Sequence, residues 1–145
     1  MDRRLFFMLN RARAALYRHA DNGVEQAIGV PAAQVSLLFA LSRQPQASMQ
    51  ALGNTLGLNN SAMTGLVQRM KANKLIERVP SKEDGRVAHL RMTAKGQHKL
   101  EQAKPLLAEL NKQLTAGFTP AEIDTVLHFL NTVHARFSQP NGDTE

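Results

Sequence analysis

Apolar positions recur along most of this chain with the period of a helix, and that period breaks once. Leu5, Leu9, Ala12 and Leu16, with Phe6 and Met8 beside them, keep the 3.6-residue spacing of a helix with one apolar stripe. This first helix is expected to end around Gly29. Pro31 suits the first turn of a second helix. That helix carries Val35, Leu38 and Leu41 on one face, and Pro45 closes it. Ser48 can cap a third helix, "MQALGNTL". Gly57 supplies the turn after it, where a positive φ is cheap for glycine. Gly53, four positions earlier, is small where two helices must cross closely. Asn59 can cap a fourth helix, "NSAMTGLVQRM", whose inward set is expected to be Ala62, Met63, Leu66, Val67 and Met70. Asn60, Ser61, Thr64, Gly65, Gln68 and Lys71 then fall on the opposite face.

From Leu75 the pattern changes. "LIERV" and "VAHLRM" are short and rich in branched residues, and "PSKEDGR" between them is rich in turn formers. The three segments predict a β-hairpin with a charged tip. Thr93 can cap a fifth helix with Leu100, Ala103, Leu107, Leu110 and Leu114 at alternating steps of three and four. Pro105 interrupts that pattern and is expected to bend the helix, and Gly117 ends it. "TPAEI" from Thr119 combines a capping box, Thr119 with Glu122, and a proline at the first helical position. The last helix carries Ile123, Val126, Leu127, Leu130, Val133 and Phe137, and residues 140–145 read as a flexible tail. The fold class is mainly α with a small β-hairpin wing. Two helices joined by a tight glycine turn, followed by a two-stranded hairpin, make a winged helix-turn-helix.

The chain has 145 residues, a size for one compact domain or for one domain with a helical extension. It lacks cysteine, which excludes disulfides, thiolate metal sites and thiol-based redox sensing. No apolar run approaches the roughly 20 residues that span a bilayer, and a cytoplasmic location is expected. The five histidines are spread out, and only His128 and His134 share a helix, at a spacing poor for a common ligand face. No metal site, cofactor or catalytic constellation is therefore expected, and no glycine-rich loop cradles a nucleotide.

Charge changes the picture more. The formal net charge is +6, with 18 Lys+Arg against 12 Asp+Glu, and a basic chain suits a polyanionic partner. Yet from Gln44 to Gln68 there is no Asp, Glu, Lys or Arg. The cations follow: Arg69, Lys71, Lys74, Arg78, Lys82, Arg86, Arg91, Lys95 and Lys99, against Glu77, Glu83 and Asp84. Phosphate contacts need cations and supply position. Asn, Gln, Ser and Thr can read base edges in the major groove without charge. Asn60, Ser61, Thr64 and Gln68 are the candidate base readers, with Gly65 allowing close approach; Arg69 and Lys82 are candidate phosphate contacts, and Lys71 is a further candidate DNA-binding residue.

The stretch "MTGLVQRMKANKLIERVPSKEDGRVAHLRMTAKG" resembles the MarR family of transcription regulators. Its elements are the recognition helix, the strand Leu75-Ile76-Glu77-Arg78, the wing Asp84-Gly85-Arg86 and the helix start Met92-Thr93-Ala94-Lys95-Gly96. Three positions depart from the family pattern. Lys74 stands where glycine is usual, with Asn73 as the expected left-handed residue. Met92 replaces leucine, and Gly85 replaces a second arginine.

The resemblance implies a homodimer on a palindromic operator, with half-sites about 34 Å apart. It divides the chain into a helical dimerisation region, 1–30 with 105–139, and a DNA-binding winged helix, 31–104. It also implies that Arg86 enters the minor groove with Asp84 orienting it. A small aromatic or anionic effector is a further implication, with Arg11, Arg18 and His19 on the first helix as candidate contacts. The function class implied is a DNA-binding repressor. The alternative left by the residues alone is a winged-helix module whose basic face meets an acidic protein.

Overall fold

A computed structural model describes residues 3–80 and 88–138. Six helices and one antiparallel hairpin follow in chain order: α1 (Leu5–Ile28), α2 (Ala32–Arg43), α3 (Met49–Leu56), α4 (Asn60–Ala72), β1 (Ile76–Pro80), β2 (Ala88–Met92), α5 (Ala94–Thr115) and α6 (Pro120–Phe137). They form two compact units, Met1–Leu107 and Ala108–Glu145. The expected tail, 140–145, lies outside the described residues, as does the tip of the wing.

Local chemistry starts and stops these elements as the sequence suggests. The Ser48 side chain accepts from the Ala51 N–H, and the Asn59 side chain accepts from the Ala62 N–H. Each satisfies a first-turn donor that the helix cannot. Thr119 and Glu122 form both bonds of the capping box. Pro31 sits one residue earlier than expected, as the N-cap of α2 rather than inside its first turn. The helix ends at Arg43 because Gln44, preceding Pro45, is pushed out of the helical region (φ −130°, ψ 68°).

The first unit holds the core. Leu37 and Leu38 of α2, Leu52 of α3, and Met63, Leu66, Val67 and Met70 of α4 are buried together with Leu75, Ile76, Leu90, Leu100 and Ala103. Removing each large side chain from water contributes about 1.5–3 kcal/mol. Gly53 lets α3 and α4 cross: a Cβ there would lie 2.9 Å from Met63 Cγ and 3.0 Å from the Leu58 carbonyl oxygen. Ala62 departs from expectation. It is exposed, so the buried stripe of α4 is narrower than its apolar sequence.

The end of α4 corrects the expected role of Asn73. Lys74, at φ 59°, is the left-handed residue, while Asn73 stays at φ −78°. The Lys74 N–H donates to the Lys71 carbonyl and the Leu75 N–H to the Met70 carbonyl, both at 3.0 Å. These are the paired bonds of a Schellman end, with Met70 and Leu75 buried beside them. Asn73 is otherwise engaged: its amide donates to Gln34, the one buried polar side chain among the described residues.

α5 docks on that corner. The Thr93 hydroxyl donates to the Lys74 carbonyl at 2.6 Å, and the Thr93 N–H donates to the Leu75 carbonyl at 3.1 Å. Thr93 Oγ1 also accepts from the Gly96 N–H, which makes it the N-terminal cap. A Cβ on Gly96 would sit 2.2 Å from the Leu75 carbonyl oxygen.

Much apolar surface is left uncovered. Phe6 and Phe7 on α1 are 77% and 66% exposed. In the second unit, α6 buries no residue although Val126, Leu127, Leu130 and Phe137 are apolar.

Two substitutions test the corner. Gly96→Ala forces the backbones apart, and chemical denaturation should show a loss of about 1–3 kcal/mol. Lys74→Gly removes a left-handed penalty and should raise stability by about 1 kcal/mol. An unchanged midpoint in either variant would contradict this corner geometry.

Candidate nucleic-acid interface

The candidate surface begins with α4, because its buried stripe dictates which residues face out. Met63, Leu66, Val67 and Met70 point into the core. At helical spacing Asn60, Ser61, Thr64, Gln68 and Lys71 fall opposite them, and all five are exposed. Arg69 is exposed at the edge of that face and Gly65 is half-buried. The structure thus brings seven of the sequence-predicted site residues together on one helix.

Their local bonds differ. The Thr64 hydroxyl donates back to the Asn60 carbonyl at 2.8 Å, which keeps its oxygen lone pairs directed outward as acceptors. A Cβ on Gly65 would meet only the Arg69 side chain, 3.2 Å from Nη1. The Arg69 guanidinium therefore lies over the glycine and keeps its charge against the helix. Arg69 and Lys71 occupy the last turn of α4, where the helix dipole also favours cations.

The candidate wing residues Lys82, Asp84 and Arg86 lie outside the described residues. The hairpin that carries them is formed, with Ile76 opposite Met92 and Pro80 opposite Ala88.

Some cations near the site belong to the fold. Arg91 is bonded to its cross-strand partner Glu77, with Nε 2.6 Å from the carboxylate. Lys95 Nζ donates to the Asn73 carbonyl at 2.9 Å, and Lys99 Nζ donates to the Ile28 carbonyl at 2.7 Å. Both lysines serve carbonyls at helix ends. That function was invisible in the sequence, since the partners are 22 and 71 residues away. Conversely, Arg78 deserves a place at the surface that its strand position alone did not give it. It is exposed on β1, and its guanidinium reaches Met49 at the start of α3. Arg69, Lys71, Lys74 and Arg78 thus stand exposed at and just beyond the C-terminal end of α4.

Arg11, Arg18 and His19 are exposed on α1. None of them lines the groove of about 1040 Å³ formed by the end of α2, the hairpin and Gln97. Among the described residues no group of three or more His, Asp or Glu is placed to hold a metal ion. No single helix among them is long and apolar enough to cross a membrane.

A helix-turn-helix with an exposed polar second helix, followed by an antiparallel hairpin, defines a winged helix-turn-helix protein. Residues 28–87 match the model of the MarR family. The chain is 29% identical over 97 residues to the HTH-type transcriptional repressor IacR of Pseudomonas putida, covering 67% of this chain and 58% of that repressor. The structure is similar to that of a MarR/EmrR family transcriptional regulator from Acinetobacter sp. ADP1. The TM-score is 0.88 and the identity 26%, over 96% of this chain and 98% of the other. It is also similar to the transcriptional repressor CouR bound to a 23-mer DNA duplex. There the TM-score is 0.78 and the identity 25%, over 89% and 91% of the two chains.

Gly65 can be tested within the protein alone. Gly65→Ala removes a helix-interior glycine and meets only a flexible side-chain end, so thermal unfolding should show a gain of about 1 kcal/mol. A loss of stability would mean that the Arg69 guanidinium is held against Gly65 more firmly than a surface side chain should be.

Proposed function

We propose that this protein is a sequence-specific DNA-binding transcriptional repressor that acts as a homodimer on a palindromic operator. The observation that carries the reading is the division of labour on α4. Its outward face is uncharged and polar at Asn60, Ser61, Thr64 and Gln68, and cations gather only where the helix ends. A helix lying in the major groove meets base edges along such a face, while cations at its border meet phosphates. The DNA-bound state of the similar repressor CouR supports the same reading. The polar face also argues against an acidic protein as partner, since a neutral face offers such a partner little.

The remaining assignments rest on this frame. Gly65 admits the DNA backbone close to α4, Lys82 meets phosphate, and Arg86 enters the minor groove with Asp84 orienting it. The exposed apolar residues of α1 and of α6 are the surfaces that a second copy would cover. They make residues 1–30 and 105–139 the dimerisation region, and 31–104 the DNA-binding module. A small aromatic or anionic effector binding at Arg11, Arg18 and His19 would release the DNA. The assigned roles are those of a regulator and not of an enzyme, and their setting is the cytoplasm.

Footprinting on the DNA flanking the gene should reveal a protected palindrome. With that duplex, fluorescence anisotropy separates the two kinds of contact. Lys71→Ala should lower the salt slope by about one unit and leave sequence preference intact. Gln68→Ala should cost about 1–3 kcal/mol on the palindrome and little on a variant of it at the contacted base pair. Equal weakening of Gln68→Ala on every sequence would remove its base-reading role.

A further inference from the structure

Helix α2 cannot cap itself. Its N-cap is Pro31, which has no side-chain acceptor and makes no capping bond. The cap comes from elsewhere: the Ala32 N–H donates to Asp21 Oδ1 of α1 at 3.0 Å. The C-terminal end of α1 has the complementary need, since its last turn carries no basic residue. Lys99 of α5 supplies it by donating to the carbonyl of Ile28, the last residue of α1. Each bond places a side-chain charge where the helix dipole favours it, the carboxylate at an N-terminus and the ammonium at a C-terminus. Neither belongs to a charge pair on its own helix.

The two bonds surround one point. Ile28 and Val30 are buried there, and Leu16, Ala20 and Val24 form a half-buried stripe that leads up to it. Residues 5–15 of α1 are exposed throughout. One end of α1 is therefore locked into the winged helix, and the other offers its surface outward. We infer that Asp21 and Lys99 are positioning residues: they fix the angle at which α1 leaves the winged helix, and so fix the half-site spacing that the dimer accepts. This inference rests on the homodimer reading above. Moving half-sites apart by one base pair also rotates one around the duplex axis, so a rigid joint rejects it.

The test uses the full chain, with duplexes that carry the footprinted palindrome and the same half-sites one base pair further apart. The wild type should sediment as a dimer and lose about tenfold in affinity on the lengthened duplex, the scale of a mismatched base pair. The variant Asp21→Leu with Lys99→Met should remain dimeric, bind a single half-site as the wild type does, and distinguish the two spacings by less than about threefold. Asp21→Asn and Lys99→Arg keep an acceptor and a donor, and should restore the preference. A dimeric double variant that keeps the wild-type spacing preference would overturn the inference. So would one that loses single half-site binding while the conservative pair does too. A wild-type chain that sediments as a monomer overturns the dimer reading first, before any variant is made.

Discussion

The orientation of α4 hangs on one dipeptide, Lys74–Leu75. Its two carbonyls accept from Thr93, through the hydroxyl and the backbone N–H, and the Leu75 N–H closes the end of α4. Gly96 must lack a Cβ for α5 to come this close. Three elements therefore share a corner only a few residues across. A misplaced corner would take the Lys74 and Leu75 carbonyls away from Thr93, and a buried backbone group left without a partner costs more than most single contacts gain. The corner converts the burial of Met70 and Leu75 into a defined direction for α4, and thus for the polar face it carries.

That corner also explains how the cations are distributed. Lys95 and Lys99 lie in the basic stretch, yet each serves a carbonyl at a helix end. Arg91 is held by Glu77 across the hairpin. The two lysines contribute to the long-range positive field without being available as long, mobile arms, whereas the Arg91–Glu77 pair is neutral at range. Such a field still speeds encounter with a polyanion. The side chains whose ends are not engaged in this way, Arg69, Lys71 and Lys74, cluster where α4 ends, and the proposed function gives the phosphate contacts to that cluster.

How much of this was legible in the sequence follows from range. Ser48, Asn59 and Thr119 bond to N–H groups three residues on, so their caps could be read directly. The change from helical to alternating period at Leu75 gave the hairpin for the same local reason. Intrinsic preference favours Asn73 in the left-handed position, but Asn73 is recruited by Gln34, 39 residues away, and Lys74 takes that position instead. Ala62 was placed inward by its apolar character, though alanine buries too little surface to decide a helix face. The trans-capping by Asp21 and Lys99 left no signal, since nothing local marks a carboxylate or a lysine as serving another helix.

Two positions on and beside α4 are poor choices for the isolated chain. Gly65 weakens a helix interior by about 1 kcal/mol relative to alanine, and no packing inside the protein requires it. Lys74 holds a left-handed conformation that glycine would adopt without cost. A chain shaped only by its own stability would exchange both. Their common feature is location: one opens a gap on the polar face, and the other sets a cation beside the end of the same helix. On the DNA-binding reading proposed above, an external polyanion would give both choices a reason, because a missing side chain would shorten the approach and the added ammonium would stand near the phosphates. On the same reading, the left-handed backbone at Lys74 would be local strain retained at a functional surface.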